Sequence, residues 1–255
     1  MKITFLGTGT SQGVPVIACH CEVCSSHDPR DRHLRCSSLV TTDEGKNILI
    51  DIGPDFREQM LRHQVQHLDA ILITHAHRDH VGGIDDIRSF NYVQHKAMDF
   101  YGNGTALSTI VNDYHYIFEY HEFEGLPEAT LHEVDGSASF TAAGVEIVPV
   151  CGLHKTLPVL GYRIGQLGYL TDCNHILDSE LSKLHGVDVL AIGALRKEKH
   201  FSHFCLQEAL DAIQRVQPKQ AFLIHVSHQM GLYAQVEKEL PPNVHLAYDN
   251  LEVEI

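Results

Sequence analysis

Four side chains able to bind a metal ion fall within six residues in His75-Ala76-His77-Arg78-Asp79-His80. The run follows the apolar Ala70-Ile71-Leu72-Ile73-Thr74 and precedes Val81-Gly82-Gly83, so a buried strand gives way there to a turn and a helix. His75 and His77 are two apart, and on extended chain their rings leave the same side of the backbone. Asp79 and His80 reach a second point close by. That spacing suits a pair of cations held side by side. The chain has 20 His, so composition alone gives some clustering. But nothing about ending a strand calls for three imidazoles and a carboxylate together.

A second cluster, Cys19-His20-Cys21-Glu22-Val23-Cys24, carries three thiols that can take three corners of a tetrahedral zinc site. A fourth ligand has to come from elsewhere. Short-loop disulfides would be strained, and an odd total of seven Cys excludes complete intramolecular pairing.

The hexapeptide resembles the His-x-His-x-Asp-His signature of the metallo-β-lactamase superfamily of hydrolases. The resemblance implies an α/β fold, a four-layer αββα sandwich of two mixed sheets, with metals at one edge. It also implies further ligands at later strand ends: His154 after Ile147-Val148-Pro149-Val150, Asp172 after Gly168-Tyr169-Leu170, and His225 after Ala221-Phe222-Leu223-Ile224. The implied set is His75, His77, His154 and Asp172 on one metal, with Asp79, His80, Asp172 and His225 on the other. Asp51, in Ile48-Leu49-Ile50-Asp51, matches the family's first acidic motif and would support a ligand from behind. As a lone residue it reads equally well as a strand-end turn.

The Cys cluster narrows the resemblance to one branch, the phosphodiesterases of the carbon–phosphorus lyase pathway, which open a cyclic ribosyl phosphate. In that branch His228, three residues beyond His225, would complete a structural zinc with Cys19, Cys21 and Cys24. The resemblance covers nearly the whole chain, from Thr4-Phe5-Leu6-Gly7-Thr8-Gly9-Thr10 to His225-Val226-Ser227-His228-Gln229. It allows a homodimer, for which the chain carries no signal of its own. It also assigns His203 as an additional active-site group that acts as general acid or phosphate contact; the residues alone do not separate His203 from His200. Such a His would have to be protonated at working pH, which a neighbouring phosphate or carboxylate favours.

Those expectations set what must position the groups. A chain of 255 residues with 44% hydrophobic content can bury a large core, and residues 1–255 read as one domain with no linker, repeat or low-complexity tract. Strands are expected at 2–7, 38–42, 47–51, 70–74, 146–150, 160–164, 168–171, 187–192, 221–224, 244–248 and 252–255. Helices are expected at 54–63, with Pro54 in the first turn, and at 84–90, 106–119, 179–185, 205–215 and 232–240. The stretch 91–145, rich in Tyr, His and Glu, is the least readable and is expected to include loops on the substrate side or at an interface.

Apolar runs are strand-sized, which excludes a membrane helix. Met1 leads into Lys2–Leu6 without the longer apolar region of a signal peptide, so a cytoplasmic location is expected. A formal net charge of −14 repels long nucleic acid but not a small phosphorylated substrate, because two cations make a local positive focus.

The chemistry then expected is hydrolysis of a small phosphodiester, cyclic in the branch it resembles, on a phosphorylated sugar or nucleotide. A water bridging two divalent ions, manganese or zinc, loses its proton near neutral pH, and the ions offset charge on the phosphate oxygens. Catalysis would rest on Asp79, Asp172 and His203. The same ligands permit an RNA 3′-end endonuclease, or a thioester or lactone hydrolase. The first usually grips RNA with a basic Gly/Pro-rich arm that is absent here, and the Cys cluster points away from both. A metal-dependent sensor without catalysis would be expected to have lost ligands. The oxygen-reducing branch of the superfamily has Glu where this chain has His77.

Overall fold

The structure is a computed structural model and describes residues 1–119 and 125–255. Its strands are Lys2–Gly7 (β1), Ser37–Thr41 (β2), Asn47–Ile50 (β3), Ala70–Leu72 (β4), Met98–Gly102 (β5), Ala129–Glu133 (β6), Phe140–Ala142 (β7), Val145–His154 (β8), Leu157–Ile164 (β9), Leu167–Leu170 (β10), His175–Ile176 (β11), Val189–Gly193 (β12), Gln220–Ile224 (β13), Val244–Leu246 (β14) and Glu252–Glu254 (β15). The α-helices are Phe56–Arg62 (α1), Arg78–Val81 (α2), Arg88–Gln94 (α3), Gly104–Asp113 (α4), His115–Glu119 (α5), Asp178–Ser182 (α6), Leu206–Val216 (α7) and Tyr233–Glu239 (α8).

The strands form two mixed sheets, ordered β15-β1-β2-β3-β4-β5-β6 and β11-β8-β9-β10-β12-β13-β14, with β7 paired to β8. Each begins antiparallel and turns parallel: β3, β4, β5 and β6 in the first, β10, β12, β13 and β14 in the second. The parallel strands are continuously apolar because both their faces are covered. Ile48, Ile50, Ala70 and Leu72 pack toward the other sheet, against Tyr162, Tyr169, Ala191 and Ile224. Leu49 and Ile71, one residue out of step, pack with Phe56, Met60, Phe90 and Ile110 under the outer helices. On the far side Leu170, Leu190 and Leu223 meet Ala209, Ile213 and Val236 of α7 and α8. Helix, sheet, sheet and helix make the four layers. Full burial of one such Leu or Ile contributes about 1.5–3 kcal/mol.

Most expected elements are present within a residue or two. The chief difference lies in 91–145. The helix expected at 106–119 is present as α4 and α5, but the stretch also holds the two outer parallel strands β5 and β6 and the short β7, which were not expected. In Met98-Asp99-Phe100-Tyr101-Gly102 burial alternates with partial exposure, so the strand has no apolar run to advertise it. Residues 120–124, part of that stretch, lie outside the described residues. Pro54 sits ahead of α1, whose N-cap is Asp55. No helix among the described residues is long and apolar enough to cross a membrane.

Candidate metal centre

Parallel strands end on a common edge, and the predicted ligands stand there. Asp51 follows β3, His75 follows β4, His154 ends β8, Asp172 follows β10 and His225 follows β13. Three of these residues, Asp51 (φ 62°), Asp172 (φ 49°) and His225 (φ 56°), adopt the left-handed conformation. A side-chain-bearing residue held there costs on the order of 1–3 kcal/mol, and such strain gathers at functional sites.

The hexapeptide turn is held against the segment after β3. Ile52 N–H donates to the His80 carbonyl at 2.8 Å, and Gly83 N–H donates to the Ile52 carbonyl at 2.9 Å. A β-carbon on Gly53 would stand 2.3 Å from the Asp79 carbonyl oxygen, so only glycine permits this approach.

The ring orientations follow from the hydrogen bonds. His80 Nδ1 donates to Asp51 Oδ2 at 2.7 Å. The Thr74 hydroxyl donates to the same Oδ2 at 2.8 Å, and so receives a hydrogen bond from His75 Nδ1 at 3.0 Å. His154 Nδ1 donates to the Ser202 carbonyl at 2.7 Å. In all three rings Nδ1 is the nitrogen tied to a supporting oxygen, which leaves Nε2 as the nitrogen that faces the site. Thr74 is a functional residue that reading the sequence missed. Its place directly before His75 was the only signal.

The faced groups converge. Nε2 of His75 lies 3.0 Å from Nδ1 of His77 and 3.7 Å from Asp172 Oδ2. The His77 and His154 ring centroids are 5.1 Å apart. Asp172 Oδ1 lies 3.4 Å from His80 Nε2 and 3.0 Å from His225 Nε2, while Asp79 Oδ2 is 3.3 Å from His80 Nε2 and 3.6 Å from His225 Nε2. Thus Asp172 turns one oxygen toward His75 and the other toward His80 and His225. His203, not His200, stands against it, with Nδ1 3.7 Å from Asp172 Oδ2.

Burial opposes charge on His80, yet Asp172, Asp51 and Asp79 outweigh it and hold the ring well above its ordinary pKa. Burial likewise opposes the Asp172 carboxylate, and His225 and His80 outweigh it, leaving the group well below the usual range. Asp79 is lowered against burial by His80 and His225. For His75 and His77 burial wins, and both are lowered. His203 is pushed down to about 3 by burial, against the pull of Asp172. Burial thus works against the proton that a general acid at this position would need, while Asp172 favours it.

A metal fits this donor set. His80 Nε2 and both ring nitrogens of His225 are buried with no hydrogen-bond partner. Unpartnered ring nitrogens at this depth cost free energy, and a bound cation is one way to satisfy those that carry a lone pair. Asp79, His80, Asp172 and His225 offer ligand atoms all within 4.8 Å of one another, as do His154, Asp172 and His203.

The Cys cluster also closes. Sγ of Cys19, Cys21 and Cys24 lie 3.4, 3.3 and 3.5 Å from His228 Nδ1, with no disulfide among them. The Cys24 N–H, aided by His228 and opposed by burial, lowers Cys21 to about 6, while burial raises Cys24 to about 11. This cluster is wired to the sheet edge, because Thr10 N–H donates to the Val226 carbonyl and Val226 N–H to the Thr8 carbonyl.

A family model described as the Beta-lactamase superfamily domain matches residues 46–226, from β3 through the residue after His225. The chain belongs to the metallo-β-lactamase superfamily. With membership goes the general class, a metal-dependent hydrolase. A solved structure described as a new diphosphatase from the PhnP family superposes with a TM-score of 0.92 at 36% identity, covering 100% of this chain and 97% of that one. Zn(2+)-bound PqqB from Methylobacterium extorquens shares the fold, with a TM-score of 0.80 at 16% identity and 100% of both chains covered. A curated relative, an octanoyltransferase of Porphyromonas gingivalis, is 40% identical over 253 residues, which are 99% of this chain and 51% of that protein. The chain thus spans about half the length of that relative.

Proposed function

We propose that residues 1–255 act as one metallo-hydrolase domain that opens a small, cyclic phosphodiester. The observation that carries this reading is the likeness to the PhnP-family diphosphatase, 36% identical with both chains covered almost end to end. The closed Cys19, Cys21, Cys24 and His228 cluster beside the His/Asp edge supports the same branch. The diphosphatase name of that relative favours a second reading, in which the bond broken joins two phosphates. The name octanoyltransferase belongs to a protein twice as long and does not decide between them.

His75, His77, His154 and Asp172 would hold one catalytic cation, and Asp79, His80, Asp172 and His225 the other, with manganese or zinc the candidates. Cys19, Cys21, Cys24 and His228 would hold a structural zinc. When bound, the pair supplies a deprotonated water near neutral pH and neutralises charge on phosphate oxygens. The chain's own part is orientation and proton handling. Asp51, directly and through Thr74, keeps His80 and His75 in the tautomers that present Nε2. Burial lowers the pKa of His203, and even a neutral imidazole donates from one ring nitrogen, so it can hold the leaving oxygen. A phosphate arriving beside it brings the negative charge that favours its protonation.

The test is turnover of bis(p-nitrophenyl) phosphate by metal-stripped protein reloaded with manganese or zinc, beside a phosphate monoester, a lactone and a thioester. Metal-dependent cleavage of the diester alone is expected. Cleavage of the lactone or thioester instead would leave a metallo-hydrolase of another substrate class.

A further inference from the structure

The loop between β12 and α7 carries His203 against Asp172, and two residues earlier it leaves Phe201 71% exposed. Single exposed apolar side chains are common, but this ring stands on the loop that carries His203. It is not a loose end. Asn174 Nδ2 donates to the Phe201 carbonyl at 3.2 Å, and the neighbouring Ser202 carbonyl receives His154 Nδ1 at 2.7 Å. Phe204 N–H donates to the Cys173 carbonyl at 2.8 Å. The loop is thus stapled to the segments bearing Asp172 and His154.

The Phe201 ring rests against His200, with centroids 4.3 Å apart and planes tilted by 36°. On it stands the ammonium of Lys155, 5.6 Å from the ring centroid. Lys155 is exposed and directly follows His154. Its N–H is tied to Asn174 Oδ1 at 2.7 Å, so Asn174 braces both residues. A braced ring and an exposed cation therefore share the rim just beyond the candidate metal edge.

We propose that Phe201 and Lys155 select the substrate: Phe201 stacks a nucleobase and Lys155 takes a phosphate oxygen, so the natural substrate is a nucleotide rather than a bare sugar phosphate. This rests on the phosphodiester reading, which places phosphate over the edge and its attached groups toward the rim. A bare sugar has no flat face to match Phe201, whereas every base does. Lys155 is flexible enough to leave the ring for an anion.

Calorimetric binding of 5′-AMP and ribose 5-phosphate to the metal-loaded protein tests this without turnover. AMP should bind roughly ten-fold or more tighter than ribose 5-phosphate, the range expected for one stacked base. Phe201→Ala should bring the two affinities together, Phe201→Tyr should preserve the gap, and Lys155→Met should weaken both ligands alike. Phe201 is exposed, so its variants should keep the wild-type melting temperature. Equal affinities in the wild type, no binding of either ligand, or a gap untouched by Phe201→Ala would overturn the assignment. Diester turnover with no base preference would sink the shelf and leave the phosphodiesterase reading standing. Base-selective binding with no diester turnover would sink that reading instead.

Discussion

The carboxylate of Asp51 accepts a hydrogen bond from Nδ1 of His80 at 2.7 Å, with both side chains fully buried. One carboxylate oxygen also takes the Thr74 hydroxyl, so a single buried acid sets the tautomers of two candidate ligands. Asp51→Asn would put an amide where two donors converge. Metal affinity at the His/Asp edge should fall roughly 10- to 100-fold, as is usual when the support behind a ligand is lost. Competitive chelator titration measures it, and unchanged affinity would contradict the role given to Asp51.

His203 has two possible parts, since it neighbours both a candidate ligand and the place of a leaving group. The account makes it a proton donor. His203→Ala should lower kcat for a diester by about 10²- to 10⁴-fold, the usual worth of a positioned acid, with catalytic metal content unchanged. Loss of metal in parallel with activity would make it a ligand instead.

The Cys cluster is joined to the strand edge by backbone bonds among Thr8, Thr10 and Val226 and by the short run from His225 to His228. Cys24→Ser should therefore remove one zinc equivalent and lower the melting temperature, since binding energy at such a site is folding energy. The His/Asp edge should keep its own metals. Elemental analysis beside a thermal melt checks both statements, and full zinc content in the variant would refute the site.

How much of this was legible in the sequence depends on how local the signal was. The hexapeptide and the three thiols announce themselves by spacing. His154, Asp172 and His225 each look like ordinary strand-end residues, and only the family pattern gathers them. Topology explains why they meet: β8, β10 and β13 run the same way, so their C-terminal ends share an edge. The strands β5 and β6 were not legible because their partial exposure breaks up the apolar run. Thr74 and Gly53 were missed because their roles, a relayed hydrogen bond and a close backbone approach to Asp79, exist only between distant segments.

His33 offers a pH test away from the metal edge. It is buried, its Nδ1 lies 2.7 Å from the Thr8 hydroxyl, and burial pushes it down to about 4 from an ordinary 6.5. Between those values the unfolded chain binds a proton that the folded chain refuses, so stability falls as pH drops from 6.5 through 4. The loss reaches about 2 kcal/mol near pH 5. His33→Asn removes the titration. Urea unfolding should show the variant less stable than wild type at pH 7, with a smaller deficit at pH 5. A deficit that stays constant would contradict the folded-state depression.

The most direct test of the central claim is a manganese titration of protein stripped at the His/Asp edge, followed by hydrolysis of bis(p-nitrophenyl) phosphate. Activity should rise from baseline, saturate when a pair of ions is bound, and be absent in Asp172→Ala, whose two oxygens face both halves of the site. A flat response with the ions demonstrably bound, or an Asp172→Ala protein as active as wild type, would contradict the account.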